Sequence, residues 1–202
     1  MLNKNNMVVD EATLAKIAEF HGHYCPGMAL GVLAASIAID DLGRHVDGSN
    51  ELVGRAETDM CAADAVQMMT GCTFGKGNLL HLDHGKNAFT FTRQRDGRTI
   101  RVAIKPDGWP RNPEHVELMA KTSAGTASPE EQARFKELHV SETYRVVSFD
   151  PRSVFDVEVL DEPISRKPRG RQSALCASCG ETTQEGRLVD SDKGKVCLAC
   201  GE

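Results

Sequence analysis

Residues 27–42 constrain the fold of this 202-residue chain more than any other stretch, because they are apolar almost without interruption. Their apolar side chains surround a helix instead of marking one face of it, and Gly43 follows as a stop. A helix without a polar face packs against neighbours on several sides, so we expect this one at the centre of the core. The apolar run is well short of the roughly 20 residues that span a bilayer, and we expect no membrane segment.

A dense group of potential metal ligands precedes this helix, in residues 20–27 with the sequence FHGHYCPG. His21, His23 and Cys25 offer imidazole and thiol groups close together, which is typical of a metal or redox site. Pro26 suits the first turn of a helix, so Cys25 lies at a helix N-terminus, where a thiolate is favoured over a thiol. The alternative interpretation is a loop with a buried cysteine, since cysteine is among the most buried residue types.

The chain has 7 cysteines, and the beginning of the sequence lacks the apolar region of a secretory signal. We therefore expect a cytoplasmic protein whose thiols serve metal or redox chemistry more than disulfides. Cys61 falls in the first turn of a helix predicted over about residues 60–70, with Asp59 as its cap, and is a second candidate thiolate. Cys72 follows the end of that helix, where the helix dipole helps a thiolate least, and ranks third.

The tail carries two C-x2-C pairs with the spacing of a four-thiolate zinc site. A segment this short cannot fold on a hydrophobic core, so a bound metal would supply its folding energy. The alternatives are an iron–sulphur cluster and a pair of redox dithiols. The predicted zinc ligands of the tail are Cys176, Cys179, Cys197 and Cys200.

The remaining elements indicate an α+β fold, with a mixed sheet flanked by helices and a small C-terminal zinc-finger domain. The dipeptide Asp96-Gly97 predicts a two-residue hairpin turn, and the capping box at Ser128 predicts a helix start. We predict helices over residues 10–20, 27–42, 60–70, 113–123 and 129–144, and strands over residues 51–58, 87–95, 98–105 and 154–160. The core domain would span residues 1–160, a linker residues 161–175 and the zinc finger residues 176–202.

The formal net charge of −5 argues against a nucleic-acid-binding protein, because phosphate contacts need a surplus of Lys and Arg. The loop over residues 71–78, GCTFGKGN, is not a Walker A loop, because Gly77 follows Lys76 where that motif needs Ser or Thr. It is either a tight structural loop or an anion site. Residues 81–84 include His81, Asp83 and His84, which are either further metal ligands or a solvated surface.

The motifs HGHYCPGMALG and CAADAVQMMTGCTFGKGN, followed by a hairpin and a four-cysteine tail, resemble the FmdE family of proteins, which takes its name from formylmethanofuran dehydrogenase. The resemblance covers about residues 12–160, and the tail resembles the treble-clef zinc finger that some members carry. It implies an α+β core that forms a homodimer and holds a metal-dependent site. On this chain that site would consist of His21, His23, Cys25 and Cys61, and zinc is a candidate for its metal.

The resemblance implies a zinc-binding accessory or regulatory protein associated with molybdenum or tungsten oxidoreductases of anaerobes, whose subunits would be its partners. One alternative is a small metalloenzyme with zinc at an open site and with His23, Cys25 and Cys61 as catalytic residues. Another is a thiol redox protein that uses Cys25 and Cys61. The sequence does not decide whether the chain is an enzyme.

Overall fold

The computed structural model describes residues 7–43, 51–166, 170 and 172–201, and the chain forms two compact units that divide between Ser165 and Arg166. Four residues of the predicted linker, 167–169 and 171, lie outside the described part. The first unit contains the apolar helix and the HGHYCPG loop, and the second contains the cysteine tail. No helix in the described ranges combines the length and apolar character needed to cross a bilayer.

The first unit is an α+β fold in which helices cover a mixed sheet. Its helices are α1 (Glu11–His21), α2 (Pro26–Leu42), α3 (Ala62–Thr70), α4 (Pro113–Ser123), α5 (Pro129–Val146) and the short α6 (Pro151–Val154). Its strands are β1 (Leu52–Ala56), β2 (Leu79–His81), β3 (Ala88–Arg93), β4 (Thr99–Ile104) and β5 (Phe155–Leu160). The predicted α+β class is therefore confirmed.

The sheet has the strand order β2-β1-β3-β4-β5, and it is mixed because β1 and β2 run parallel while the other pairs are antiparallel. Two phenyl rings on β3, those of Phe89 and Phe91, are fully buried in the core cluster that also contains α2. The three-residue strand β2 was not predicted from the sequence, because it is too short to show an alternating pattern.

The connection between β3 and β4 differs from the predicted two-residue turn. The strands end at Arg93 and resume at Thr99, and the Arg93 side chain forms an ion pair with Asp96 across the loop. A two-residue type I′ turn needs positive φ at both central residues, but in the described chain only glycines have positive φ. Gly97 supplies that conformation with φ 73°, and Asp96 instead accepts hydrogen bonds from Arg93, so the loop is longer.

Helix α2 lies at the centre of the core, as its apolar pattern predicts. Leu30, Val32 and Leu33, which point in different directions around the helix, are all fully buried. The helix begins at Pro26 with Cys25 as its N-cap, and Gly43 ends it with φ 82°. Helix α2 packs against α3, α5 and the sheet, so the position of its N-terminus is fixed. The residues that precede the helix are therefore held in place at that end.

Helix α3 packs closely against α2 because Gly31 has no side chain. A Cβ at Gly31 would lie 2.2 Å from the carbonyl oxygen of Ala62 and 2.7 Å from its Cα. A Cβ at Gly27, one turn earlier, would lie 3.2 Å from the Cβ of Cys61. The two glycines therefore let the N-terminus of α3 approach the N-terminal half of α2.

Helices α4 and α5 form a helical hairpin whose ends are set by side-chain caps. Asn112 accepts hydrogen bonds from the amides of Glu114 and His115, and Ser128 and Glu131 form the predicted capping box. Helix α5 packs on α2 and continues two residues beyond the predicted end at Tyr144. Each helix of this hairpin carries one histidine, His115 on α4 and His139 on α5.

The second unit consists of two small antiparallel hairpins and a final helical turn. These elements are β6 (Ser173–Leu175), β7 (Thr182–Gln184), β8 (Leu188–Ser191), β9 (Gly194–Cys197) and α7 (Leu198–Gly201). Among its described residues only Cys176 and Val196 are buried hydrophobic residues. The unit therefore has almost no apolar core of its own.

Candidate metal centre

The short connection between α1 and α2, residues 22–25, places His21 beside Cys25. Helix α1 ends at His21, and Gly22 caps it in the left-handed conformation with φ 94°. Cys25 then caps α2 in an extended conformation, and its sulphur accepts a hydrogen bond of 3.2 Å from the amide of Met28. As a result, the Nε2 atom of His21 lies 3.5 Å from the Sγ atom of Cys25.

Cys61 joins this pair from the N-terminus of α3. It occupies the N-cap position, in place of the predicted cap Asp59, and its side chain makes no capping hydrogen bond. The close packing of α3 against Gly27 and Gly31 places Cys61 next to Cys25. One ligand atom from each of His21, Cys25 and Cys61 lies within 4.8 Å of the others, which is the spacing of a metal site.

Asp64 fixes the orientation of the His21 ring. Its Oδ2 atom lies 2.8 Å from Nδ1 of His21, which donates the hydrogen bond because a carboxylate can only accept. The other ring nitrogen, Nε2, is then the lone-pair nitrogen, and it is the atom directed at Cys25. A carboxylate behind a histidine is the usual support of a metal-ligating imidazole.

The electrostatics of Cys25 differ from the sequence-based expectation. Burial raises the pKa of this thiol to about 12, against a smaller lowering by the Met28 amide, and the neighbouring Cys61 raises it further. The prediction that Cys25 is a thiolate at this helix N-terminus is therefore wrong for the metal-free protein. Desolvation of the buried sulphur raises the thiol pKa by more than the groups at the helix N-terminus lower it. A metal reverses the balance, since a coordinated thiol loses its proton.

His23 belongs to a second group of ligands that also contains Cys25. This group contains His23, Cys25 and His139, again with one ligand atom each within 4.8 Å. The rings of His23 and His139 are stacked with their centroids 6.1 Å apart, and His23 also lies 4.6 Å from the ring of His21. The residues expected at one site thus divide between two groups that share Cys25.

Sequence reasoning missed His139, which the fold of α5 brings to Cys25. Its Nδ1 atom lies 2.8 Å from Nε2 of His115, whose ring stacks with Phe135, whereas the ring of His139 is tilted against Phe135. Burial, followed by the nearby His115 and His23, lowers the pKa of His139 to about 4, and burial also lowers the pKa of His115. His139 is therefore neutral near pH 7, which is the protonation state of a metal ligand.

A cavity of about 400 Å³ opens beside both groups. Its walls include Trp109, the only tryptophan of the chain, and apolar side chains such as Leu30 and Met119. The ligand residues that line it are His23, Cys25, Cys61 and His139. A small molecule in this cavity would therefore meet the potential metal ligands directly.

The other predicted candidates lie apart from this cluster. Cys72 is a fully buried thiol whose pKa is raised to about 11 by burial. His84 contacts Glu57 at 3.4 Å, and within the described residues neither it nor His81 joins a group of metal ligands.

In the loop 71–78 the amides of Thr73, Phe74 and Lys76 donate to side chains of the protein, and the Asn78 side chain bonds to the Leu52 carbonyl. Because these amides have partners inside the protein, the loop fits the structural interpretation better than the anion site.

The four cysteines of the tail converge as their spacing predicts. Their sulphur atoms lie within 4.8 Å of one another, and those of Cys179 and Cys197 are 4.0 Å apart. The amides of Cys179 and Cys197 point at the sulphur of Cys176 and lower the pKa of that thiol to about 6. The pKa values of Cys179 and Cys197 are raised instead by the neighbouring thiols, so it is the convergence of the four sulphur atoms that marks this unit as a small metal-binding domain.

Fold and sites together define a class of protein: an α+β core with a histidine–cysteine cluster, followed in sequence by a four-cysteine metal-binding unit. The family model described as "FmdE, Molybdenum formylmethanofuran dehydrogenase operon" matches residues 20–156. The chain therefore belongs to the FmdE family, which confirms the resemblance drawn from its motifs.

Two relatives extend this comparison. The chain is similar to a crystal structure of a tungsten formylmethanofuran dehydrogenase FmdE-like protein from Syntrophus aciditrophicus, with a TM-score of 0.59 and 24% identity. That match covers 95% of this chain and 91% of the other, and it shows a common fold. The chain is also 33% identical over 195 residues to a probable S-adenosyl-L-methionine-binding protein of Archaeoglobus fulgidus. The second match covers 93% of this chain but only 52% of the relative, so the chain spans about half of that protein's length.

Proposed function

We propose that this chain is a zinc-binding accessory or regulatory protein of the FmdE type, with one zinc site in its core and another in its tail. The observation that carries the proposal is the convergence of His21, Cys25 and Cys61, with Asp64 behind His21. The tail site would be a treble-clef-type finger held by its four cysteines, which supports a docking role because a closed four-thiolate site does no chemistry.

The donor set of the core fits zinc. Imidazole nitrogen and thiolate sulphur are its common protein ligands, and three protein ligands leave one position open in a tetrahedral site. When bound, zinc supplies a Lewis acid that polarises an oxygen ligand and lowers the pKa of bound water. The residues of this chain orient the ligands: Asp64 holds the proton of His21 on Nδ1, and the Met28 amide donates a hydrogen bond to the sulphur of Cys25.

The accessory role rests on the family, whose description names the formylmethanofuran dehydrogenase operon. Subunits of a molybdenum or tungsten oxidoreductase are the partners we propose. A homodimer is the oligomeric state we propose. Phe20, Met60 and Phe74 are exposed apolar side chains on or next to α1 and α3, and we propose them as contacts with a partner.

The cavity supports a second candidate function, that of a small metalloenzyme. His23, Cys25 and Cys61 all line it, so a substrate could reach an open metal position and the neighbouring bases. S-adenosylmethionine is one ligand to test, since it occurs in the name of the Archaeoglobus relative. Fluorescence of Trp109, the only tryptophan, reports directly on any ligand that enters this cavity.

Metal analysis of protein purified without chelator tests the proposed function. We expect at least two zinc ions per chain, of which the tail ion is lost in Cys179→Ser and a core ion is lost in Cys61→Ser. Cys72→Ser is the matched control, because Cys72 is a buried thiol outside both ligand groups. A content of one that is unchanged in Cys25→Ser and absent in Cys179→Ser would contradict the core site and favour a thiol redox role for Cys25 and Cys61.

A further inference from the structure

Five ligand residues in the core form two groups, and the sulphur of Cys25 is the only atom common to both. His21 and Cys61 complete the first group, whereas His23 and His139 complete the second. We propose that the second group is a metal site in its own right, so that the core holds a dinuclear centre bridged by the Cys25 thiolate. This inference rests on the proposed function, because the first metal site supplies the thiolate that the second one shares.

The two groups are supported in the same way by a residue behind a histidine. Asp64 holds Nδ1 of His21 in the first group, and His115 holds Nδ1 of His139 in the second. Each contact takes one ring nitrogen and leaves Nε2 for a metal. A metal-ligating histidine usually has its second ring nitrogen held by such a partner, so the His115 contact is consistent with His139 as a ligand.

Cys25 is well placed to bridge two metals. A thiolate sulphur has several lone pairs, and the hydrogen bond from the Met28 amide approaches it from the side of helix α2. Because Cys25 caps this central helix, its position is fixed relative to α1, α3 and α5, which all contact α2. Binding of the metals releases the thiol proton to solvent, with no change of oxidation state.

The ligand chemistry limits which metals fit this centre. Imidazole and thiolate donors select zinc, copper(I) and similar borderline or soft ions over magnesium or calcium. His23 is exposed and lies at the cavity wall, so exchange of the second ion with solvent is easier than exchange of the first. Because Cys25, Cys61, His23 and His139 line the cavity, metal ions held by these residues would be within reach of a small molecule in it and would supply Lewis-acid chemistry there.

Zinc titration of the full-length chain tests the dinuclear centre. Apoprotein is saturated with zinc and desalted, and the bound metal is counted by mass spectrometry. We expect three zinc ions per chain in the wild type and in His81→Gln, whose histidine lies outside both groups. His139→Gln should bind two, and Cys25→Ala should bind only the tail ion.

The supporting role of His115 is tested separately. In His115→Phe the third zinc ion should still bind, but with an affinity reduced about 10- to 100-fold, as is usual when the residue behind a metal ligand is removed. The first core ion and the tail ion should keep their affinities. An equal loss at both core sites, with the tail site unchanged, would show that His115 acts only through the fold of the first unit and would overturn its assignment.

X-ray absorption spectroscopy of the zinc-loaded wild type tests the dinuclear centre without the use of a variant. Two bridged ions should add a metal–metal scattering contribution at roughly 3.5–4 Å, the separation typical of two-metal sites. Two zinc ions per chain in the saturated wild type, with no such contribution, would overturn the second site and leave the first. One ion per chain, in the tail alone, would contradict the proposed function as well.

Discussion

At the scale of single residues, Cys25 shows how two opposing effects decide a protonation state. The Met28 amide and the helix end favour its thiolate, but burial dominates and raises the thiol pKa to about 12. The sequence revealed the helix start and not the degree of burial, so it predicted the wrong form of the free thiol. Metal coordination resolves the conflict, because it replaces the proton with a larger positive charge.

The hydrogen bond between Asp64 and His21 predicts how a single substitution affects zinc binding in the core. Asp64→Ala removes the acceptor that holds His21 Nδ1 at 2.8 Å, so we expect a core zinc affinity about 10- to 100-fold lower. Competition with a chromophoric chelator measures it, and the tail site serves as an internal standard. Asp83→Ala is the matched control, because that exposed carboxylate lies outside the ligand groups. Equal affinities in wild type and Asp64→Ala would contradict the role of Asp64.

His139 marks the limit of what residue patterns reveal about the site. The dense HGHYCPG loop identified His21, His23 and Cys25 directly, because their spacing in sequence is unusual. His139 is a single histidine on a long polar helix, and only the packing of α5 on α2 brings it to Cys25. Cys61 was recognised from its position at a predicted helix start and from the family resemblance. Nothing in the sequence pointed to His139.

Among the elements, the starts of most helices were predictable, whereas the N-cap of α3 was Cys61 and not the predicted Asp59. Asp10, Pro26, Asn112 and Ser128 act through local hydrogen bonds or a fixed φ, so the sequence alone determines where those helices begin. The short strand β2 and its parallel pairing with β1 could not be predicted, since they depend on contacts between distant parts of the chain.

Gly31 provides an element-scale prediction about the packing of α2 and α3. In Gly31→Ala the new Cβ would lie 2.2 Å from the Ala62 carbonyl oxygen, so the helices must separate. Overpacking costs roughly 1–3 kcal/mol, and the better helix propensity of alanine offsets about 1 kcal/mol of that. We expect a lower melting temperature and weaker core zinc binding, because Cys61 moves with α3.

Chemical denaturation and zinc competition measure the two effects of Gly31→Ala together. Gly75→Ala is the control, since a Cβ there meets no atom within 4 Å and the glycine does not have a positive φ. If Gly31→Ala were as stable as the wild type and bound core zinc equally well, the close helix approach would not be what positions Cys61.

At the scale of the whole molecule, the two units have different sources of stability. The first unit buries a large apolar cluster around α2, whereas the described residues of the second bury only Cys176 and Val196 among hydrophobic residues. We therefore expect a metal to supply most of the folding free energy of the second unit, and we expect the first unit to fold without one.

Metal removal tests this division. After treatment with a strong chelator, amide NMR signals of residues 173–200 should collapse into the range of an unfolded chain. Signals of β3 and β4 should keep their dispersion, because the apolar core remains. Cys179→Ser should reproduce the tail collapse without chelator. Loss of both sets of signals in one cooperative transition would contradict the independence of the units.

The central claim is that His21, Cys25 and Cys61 hold a metal in the core. Anomalous diffraction at the zinc edge, from crystals grown with zinc, tests it most directly. We predict a peak bounded by Nε2 of His21 and the sulphur atoms of Cys25 and Cys61, in addition to the peak among the four tail cysteines. A tail peak alone, with His21 still in contact with a metal-free Cys25, would contradict the account.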